Sequence, residues 1–174
     1  RSPHVLVNGA SHAFHPDLFR VFGPLAEPHV SEDNPLAVRA LALDGLFFLD
    51  VPLVKYRRHS ANLAGFVEQK TTLHAALAVE ARRHLLWVDV LEQVLRDLDH
   101  PAFAEKFGMP EIRRAVAACR VEIRRRRLVA DWQKCGNGPV SWALVSRAWQ
   151  FPPFPGIGLR LLVRRLLPGL HRLL

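Results

Sequence analysis

The apolar repeat between Leu73 and Leu98 constrains the fold of this chain more than any other feature. Large or small apolar side chains recur there at three- and four-residue steps: Leu73, Leu77, Ala81, Leu85, Val88, Leu91, Leu95 and Leu98. This spacing follows the turn of an α-helix, so it predicts one long amphipathic helix that ends at His100-Pro101. A second helix is predicted to begin near Pro110, with Ile112, Val116, Cys119 and Ile123 on its apolar face.

The chain ahead of these helices alternates between helix-like and strand-like segments. Short helices are predicted at 16–22 and 34–44, and Gly23-Pro24 and Gly45 are their stop signals. Apolar runs at 4–7, 46–49 and 51–56 are typical of β-strands. The pattern therefore predicts an α/β fold, in which a mixed sheet with covering helices is followed by an α-helical C-terminal extension.

Changes in composition divide the chain into three predicted regions. Residues 1–66 carry the mixed pattern, 67–135 form the helical extension, and 136–174 form a basic tail rich in proline and tryptophan. The tail ends with a leucine- and arginine-rich segment, 159–167, that is predicted to be an amphipathic helix. Because arginines interrupt its apolar stretches, no segment is expected to span a bilayer.

The chain has a formal net charge of +8, so it is expected to meet an acidic partner. The arginine run at 124–127 is not interleaved with aromatic residues, which argues against nucleic acid. The apolar and basic tail suits an anionic membrane surface better than nucleic acid, and packing of the tail on the core is an open alternative. Two cysteines and the lack of a signal peptide predict a cytoplasmic protein, peripheral at the inner face of the plasma membrane.

Four short motifs follow one another in the first third of the chain, at 8–19, 22–25, 31–34 and 52–63. The third contains Glu32-Asp33, and the fourth reads Pro-Leu-Val-Lys-Tyr-Arg-Arg-His-Ser-Ala-Asn-Leu. In their order and spacing they resemble the acceptor-side portion of a family-two glycosyltransferase, which has the GT-A fold. The nucleotide-binding half of that family, with its Asp-x-Asp metal motif, has no counterpart here. The chain is therefore expected to be a piece of a longer polypeptide.

The resemblance implies a reaction and a set of site residues. A sugar would pass, with inversion, from a nucleotide-diphospho-sugar donor to a hydroxyl of a saccharide or lipid-linked acceptor, in the biosynthesis of cell-surface polysaccharide or glycoconjugate. Asp33 would be the catalytic base, because a carboxylate on the acceptor side can take the hydroxyl proton. Glu32 would contact the acceptor. The loop beside donor and acceptor would be formed by Gly9, Ala10 and Ser11.

The leaving diphosphate needs positive charge near its oxygens. By the same resemblance, His59 would complete the site of a divalent cation, Mn²⁺ or Mg²⁺, whose main ligands lie in the absent half. Arg57 and Arg58 would bind the diphosphate, since guanidinium groups suit phosphate oxygens. The only Asp-x-Asp sequence in the chain, Asp97-Leu98-Asp99, is interpreted as a solvated helix end.

Each of these residues also has a simpler interpretation. An aspartate at a helix start is usually a cap, and His59 alone would be an ordinary loop histidine. The alternative function is a non-catalytic remnant that acts as a binding module or docks on a membrane surface.

Overall fold

The computed structural model describes residues 11–27, 31–43, 45–55, 73–134 and 142–149, and these residues contain helices and no strand. The helices are α1 (Asp17–Phe22), α2 (Asp33–Ala42), α3 (Leu73–Leu98), α4 (Pro101–Phe107), α5 (Met109–Lys134) and α6 (Trp142–Trp149). Helix accounts for 74% of the described residues, so this part of the chain is all-helical. The predicted α/β fold with a mixed sheet is therefore wrong for the described residues.

The strand predictions at 46–49 and 51–56 fail where they can be examined, over residues 46–55. The composition of this segment favoured strands, but a strand also needs a neighbouring strand whose backbone pairs with its N–H and C=O groups. The segment is not covered either, since Phe47 and Phe48 are 87% and 88% exposed. Tyr56 and the run at 4–7 lie outside the described residues.

The helix predictions are confirmed for α1, α2, α3 and α5, with local stop signals acting as expected. Gly23 follows α1 with φ +75°, and its N–H donates to the carbonyl of Phe19. Gly45 adopts φ +97° just beyond α2. Residues other than glycine are strained at such φ values, so glycine suits the position directly after α1 and the one shortly after α2.

The described residues fall into two compact units. Unit 1 comprises those within Arg1–Glu68 and Asp89–Val121, and unit 2 comprises those within Gln69–Val88 and Glu122–Leu174. The predicted regions 1–66, 67–135 and 136–174 remain predictions.

Unit 1 has two apolar clusters. One is formed by Ala42, Val94, Leu98, Phe103 and Ile112, with Phe22 and Cys119 among the side chains packed against it. The other joins α1 to α2 through Leu18, Leu36 and Ala40. Because α2 contributes to both clusters, its position is determined by α1 on one side and by α3, α4 and α5 on the other.

Unit 2 buries small and aliphatic side chains: Ala81, Val88, Ile123, Leu128, Ala130 and Leu144. The guanidinium of Arg126 lies 4.9 Å from the centre of the Trp87 ring. Nη1 of Arg147 in α6 lies 3.3 Å from Oδ2 of Asp131 in α5. None of the described helices is both long enough and apolar enough to cross a membrane.

Candidate active site

Asp33 is the first residue of α2, and Glu32 is its N-cap residue. Glu32 is exposed and makes no capping hydrogen bond with its side chain. Asp33 is partly buried and lies in the first turn, where a negative charge interacts favourably with the helix dipole. Asp33 is therefore not the N-cap residue that its place at a helix start suggested. The N-cap is Glu32, and Asp33 lies inside the first turn.

Three donors hold the Asp33 carboxylate through one oxygen. Oδ1 accepts hydrogen bonds from the Ser31 hydroxyl at 2.8 Å, from the Asn34 backbone N–H at 2.9 Å and from the Asn34 side-chain amide at 3.0 Å. Hydrogen bonds to an ionised acceptor are stronger than neutral ones, so three of them fix the orientation of this side chain. These three donors belong to Ser31 and Asn34, within two residues of Asp33 in sequence.

The helix that carries Asp33 is in turn held by a buried arginine. Arg39, two turns further along α2, is 0% exposed, and its Nε and Nη2 donate to the two carboxylate oxygens of Asp97 at 2.8 and 2.9 Å. The two parallel bonds fix the distance and the angle between α2 and this part of α3. The start of α2 is therefore a fixed position within unit 1.

Asp97 was predicted to be a solvated helix end, and this is wrong. Its side chain is 4% exposed and both of its carboxylate oxygens bond to Arg39. A carboxylate committed to an arginine in this way is unsuited to a metal ion. Within the described ranges, no three His, Cys, Asp or Glu side chains are grouped so that they would hold a metal ion.

The remaining predicted site residues are placed as follows. Ser11 is exposed and lies ahead of α1. Gly9, Ala10, Arg57, Arg58 and His59 lie outside the described residues, so the predicted donor loop, diphosphate contacts and cation ligand stay predictions. Within the described chain, Glu32 and Asp33 are sequence neighbours at the start of α2, and Ser31 and Asn34 orient the Asp33 side chain.

Sequence reasoning missed Gln93, a polar residue that belongs to the same region. It is 3% exposed, donates to Asp97 Oδ1 at 2.9 Å and accepts a hydrogen bond from the Ala26 N–H at 2.9 Å. A signal was present in the spacing, since Gln93 and Asp97 are four residues apart and interrupt the apolar surface near Val90, Val94 and Leu98.

Comparison with known proteins adds no relative: no family model, no curated protein and no solved structure matches this chain.

Proposed function

We propose that this chain provides the acceptor-side base of an inverting glycosyltransferase, and that Asp33 is that base. The observation that carries the proposal is the Asp33 carboxylate itself, which three hydrogen bonds orient at the start of a helix locked by a buried ion pair. General bases act well when they are held in one orientation on a rigid element. The ordered motifs that resemble family-two glycosyltransferases supply the reaction class.

The proposed step is a single displacement. The Asp33 carboxylate takes the proton of an acceptor hydroxyl while the hydroxyl oxygen attacks the anomeric carbon of the donor sugar. The bond between that carbon and the diphosphate oxygen breaks, the diphosphate leaves with the electron pair, and the anomeric configuration inverts. Asp33 then carries the proton, which it returns to water.

The proposed site consists of Asp33 and its neighbours at the start of α2, and it requires no β-sheet among the described residues. The nucleotide-sugar contacts and the main ligands of Mn²⁺ or Mg²⁺ would lie outside the described residues, with His59, Arg57 and Arg58 as this chain's expected contributions. A bound cation would supply positive charge for the leaving diphosphate. The base step depends only on Asp33 and the groups that orient it.

The test compares two aspartates that each begin a helix. Asp33→Asn in the complete polypeptide that carries this sequence, assayed with a panel of nucleotide sugars, is expected to lower kcat by about 10²–10⁴-fold. Its fold should persist, because the asparagine carbonyl oxygen can accept the bonds now made by Oδ1.

Asp17→Asn is the matched control. Asp17 is the first residue of α1 and pairs with Arg20 at 2.9 Å on the surface, outside the proposed site. The Asp17→Asn variant is expected to keep a kcat within about twofold of the wild-type value, since exposed ion pairs contribute little. Transfer by Asp33→Asn at the rate of the Asp17→Asn control would overturn the proposal.

A further inference from the structure

Three buried polar side chains, which we call the Arg39 network, join α2 to α3 in unit 1. They are Arg39, Gln93 and Asp97, which are 0%, 3% and 4% exposed. Buried polar groups are costly when they lack partners, so a network of this kind tolerates only small changes in geometry. The α3 members lie outside the stretch of chain that carries the glycosyltransferase-like motifs.

The network holds the backbone on both sides of Asp33. Before Asp33, the Gly23 carbonyl accepts from Arg39 Nη1 at 2.7 Å, and the Ala26 N–H donates to Gln93 Oε1 at 2.9 Å. After Asp33, α2 is fixed by the two bonds between Arg39 and Asp97. The loop that precedes the proposed base and the helix that follows it therefore share one anchor.

Within that anchor, Gln93 has a separate task from Asp97. Its amide nitrogen donates to Asp97 Oδ1 at 2.9 Å, while its amide oxygen accepts from Ala26 and from Arg96 Nη2 at 3.0 Å. Gln93 thus links Ala26 to the ion pair, in addition to the bond from Arg39 to the Gly23 carbonyl of the same loop. This loop precedes the proposed base in sequence, and an acceptor is expected to bind at such a loop because binding residues concentrate on loops held by a rigid scaffold.

We infer that Gln93 is a positioning residue for the acceptor: through Ala26 it fixes the loop at 23–27, which follows α1. The inference rests on the proposed function and adds a residue that the motifs do not contain. Loss of the bond to Ala26 should let the loop move relative to Asp33. Acceptor binding should then weaken, whereas the donor contacts and the base itself remain.

The test is Gln93→Met in the complete polypeptide, with the Michaelis constants for acceptor and donor measured separately. Methionine has a similar length but lacks the amide that bonds to Ala26, Asp97 and Arg96. The KM for the acceptor is expected to rise about tenfold, because acceptor binding must then order a loop that Gln93 holds in the wild type. The KM for the donor and the pH profile of kcat are expected to stay as in the wild type.

A purely structural role would give a different result. Partial unfolding lowers the concentration of active enzyme, which lowers the apparent kcat and leaves both KM values unchanged. Asp89→Asn, an exposed change one turn earlier on α3, is the matched control and is expected to leave all three constants unaltered.

The outcomes separate the two proposals. An acceptor KM for Gln93→Met equal to that of Asp89→Asn, or an equal rise in both KM values, overturns the inference while Asp33→Asn still reports on the base. Unchanged transfer by Asp33→Asn overturns the proposed function, and the inference falls with it.

Discussion

Two clusters of charged residues in this chain contain the same kinds of side chain but differ in the sequence separation and the burial of their ion pairs. In unit 1, the Arg39 network joins residues 58 positions apart in sequence, and its ion pair is almost completely buried. In unit 2, Glu122 pairs with Arg125 and Arg126 of its own helix at three- and four-residue spacing, and the Glu122 side chain is 31% exposed. We call the second set, together with His84, the Glu122 cluster.

Hydrogen bonding is also more complete in the Arg39 network than in the Glu122 cluster. Arg39 donates to two carboxylate oxygens and two carbonyl groups. Arg126 Nε lies 2.8 Å from Glu122 Oε1 without the alignment of a hydrogen bond, and the buried Nδ1 of His84 has no hydrogen-bond partner among the residues that the structure describes. The Arg39 network therefore specifies tertiary structure, whereas the Glu122 cluster mainly supports one helix.

The largest expected effect is that of Arg39→Met. It leaves the Asp97 carboxylate buried without its countercharge, which is expected to lower the free energy of unfolding by about 3–5 kcal/mol. Urea denaturation followed by circular dichroism measures this change.

The double variant Arg39→Met/Asp97→Leu removes both charges and is expected to recover most of that loss, since an apolar pair of similar volume leaves no buried ion. If Arg39→Met were as stable as the double variant, the buried Asp97 carboxylate would not need Arg39 as its countercharge, and the Arg39 network would contribute no more than the Glu122 cluster.

Glu122→Gln is expected to have a smaller effect. Burial disfavours the charge of Glu122, but the hydrogen bonds from Arg125 and the positive charges of Arg125 and Arg126 outweigh it, so the pKa of Glu122 lies below its ordinary value. Because the pairs are local and solvent-screened, the expected loss in the free energy of unfolding is about 1 kcal/mol or less.

Glu111→Gln is the matched control for that change, since Glu111 pairs with Arg114 at the same three-residue spacing on α5 and is half exposed. It should cost about 0.3 kcal/mol. A loss for Glu122→Gln as large as that for Arg39→Met would remove the contrast between the clusters.

The smallest expected effect is a pH dependence that arises from His84. Burial, and then the charges of Arg126 and Arg125, hold the pKa of His84 below its ordinary value of 6.5, although Glu80 and Glu122 oppose the shift. The unfolded chain therefore binds the proton more readily, and the stability contributed by neutral His84 is lost as the pH falls below 6.5.

Thermal unfolding between about pH 7 and pH 5 checks this dependence, which should amount to less than about 1 kcal/mol because His84 is only partly buried. His84→Gln is expected to flatten it. His15→Gln, at a histidine whose side chain is 71% exposed, is expected to leave it as it is. An equal flattening by both variants would show that His84 is not the group responsible.

The sequence predicted the long helices well because their signals are local. The apolar spacing along α3 and α5 and the glycines at 23 and 45 act within a few residues, so no knowledge of distant contacts is needed. Two helices were missed. The signal for α4 was present, since His100 accepts from the Ala102 N–H as its N-cap and Pro101 is its first residue. The other, α6, has a strong apolar face, but its tryptophans were interpreted as part of the tail.

The apolar stripe predicted for α3 was incomplete for a physical reason. Periodicity separates apolar from polar residues, so it assigned Asp97 to solvent, whereas the structure buries Asp97 and Gln93 beside Val94 and Leu98. Polar residues become buried when a partner from elsewhere in the chain satisfies them, and that partner is not encoded in local spacing.

The sequence by itself determined, to within a few residues, where α1, α2, α3 and α5 lie, because glycine stops and the helical repeat are short-range effects. It also identified Asp33 as the candidate base, through the order of its motifs. Only the tertiary structure decided that residues 46–55 form no strand within the described chain and that Arg39 pairs with Asp97. Strand pairing and buried ion pairs both require a specific distant partner, and the position of that partner is set by packing of the whole unit.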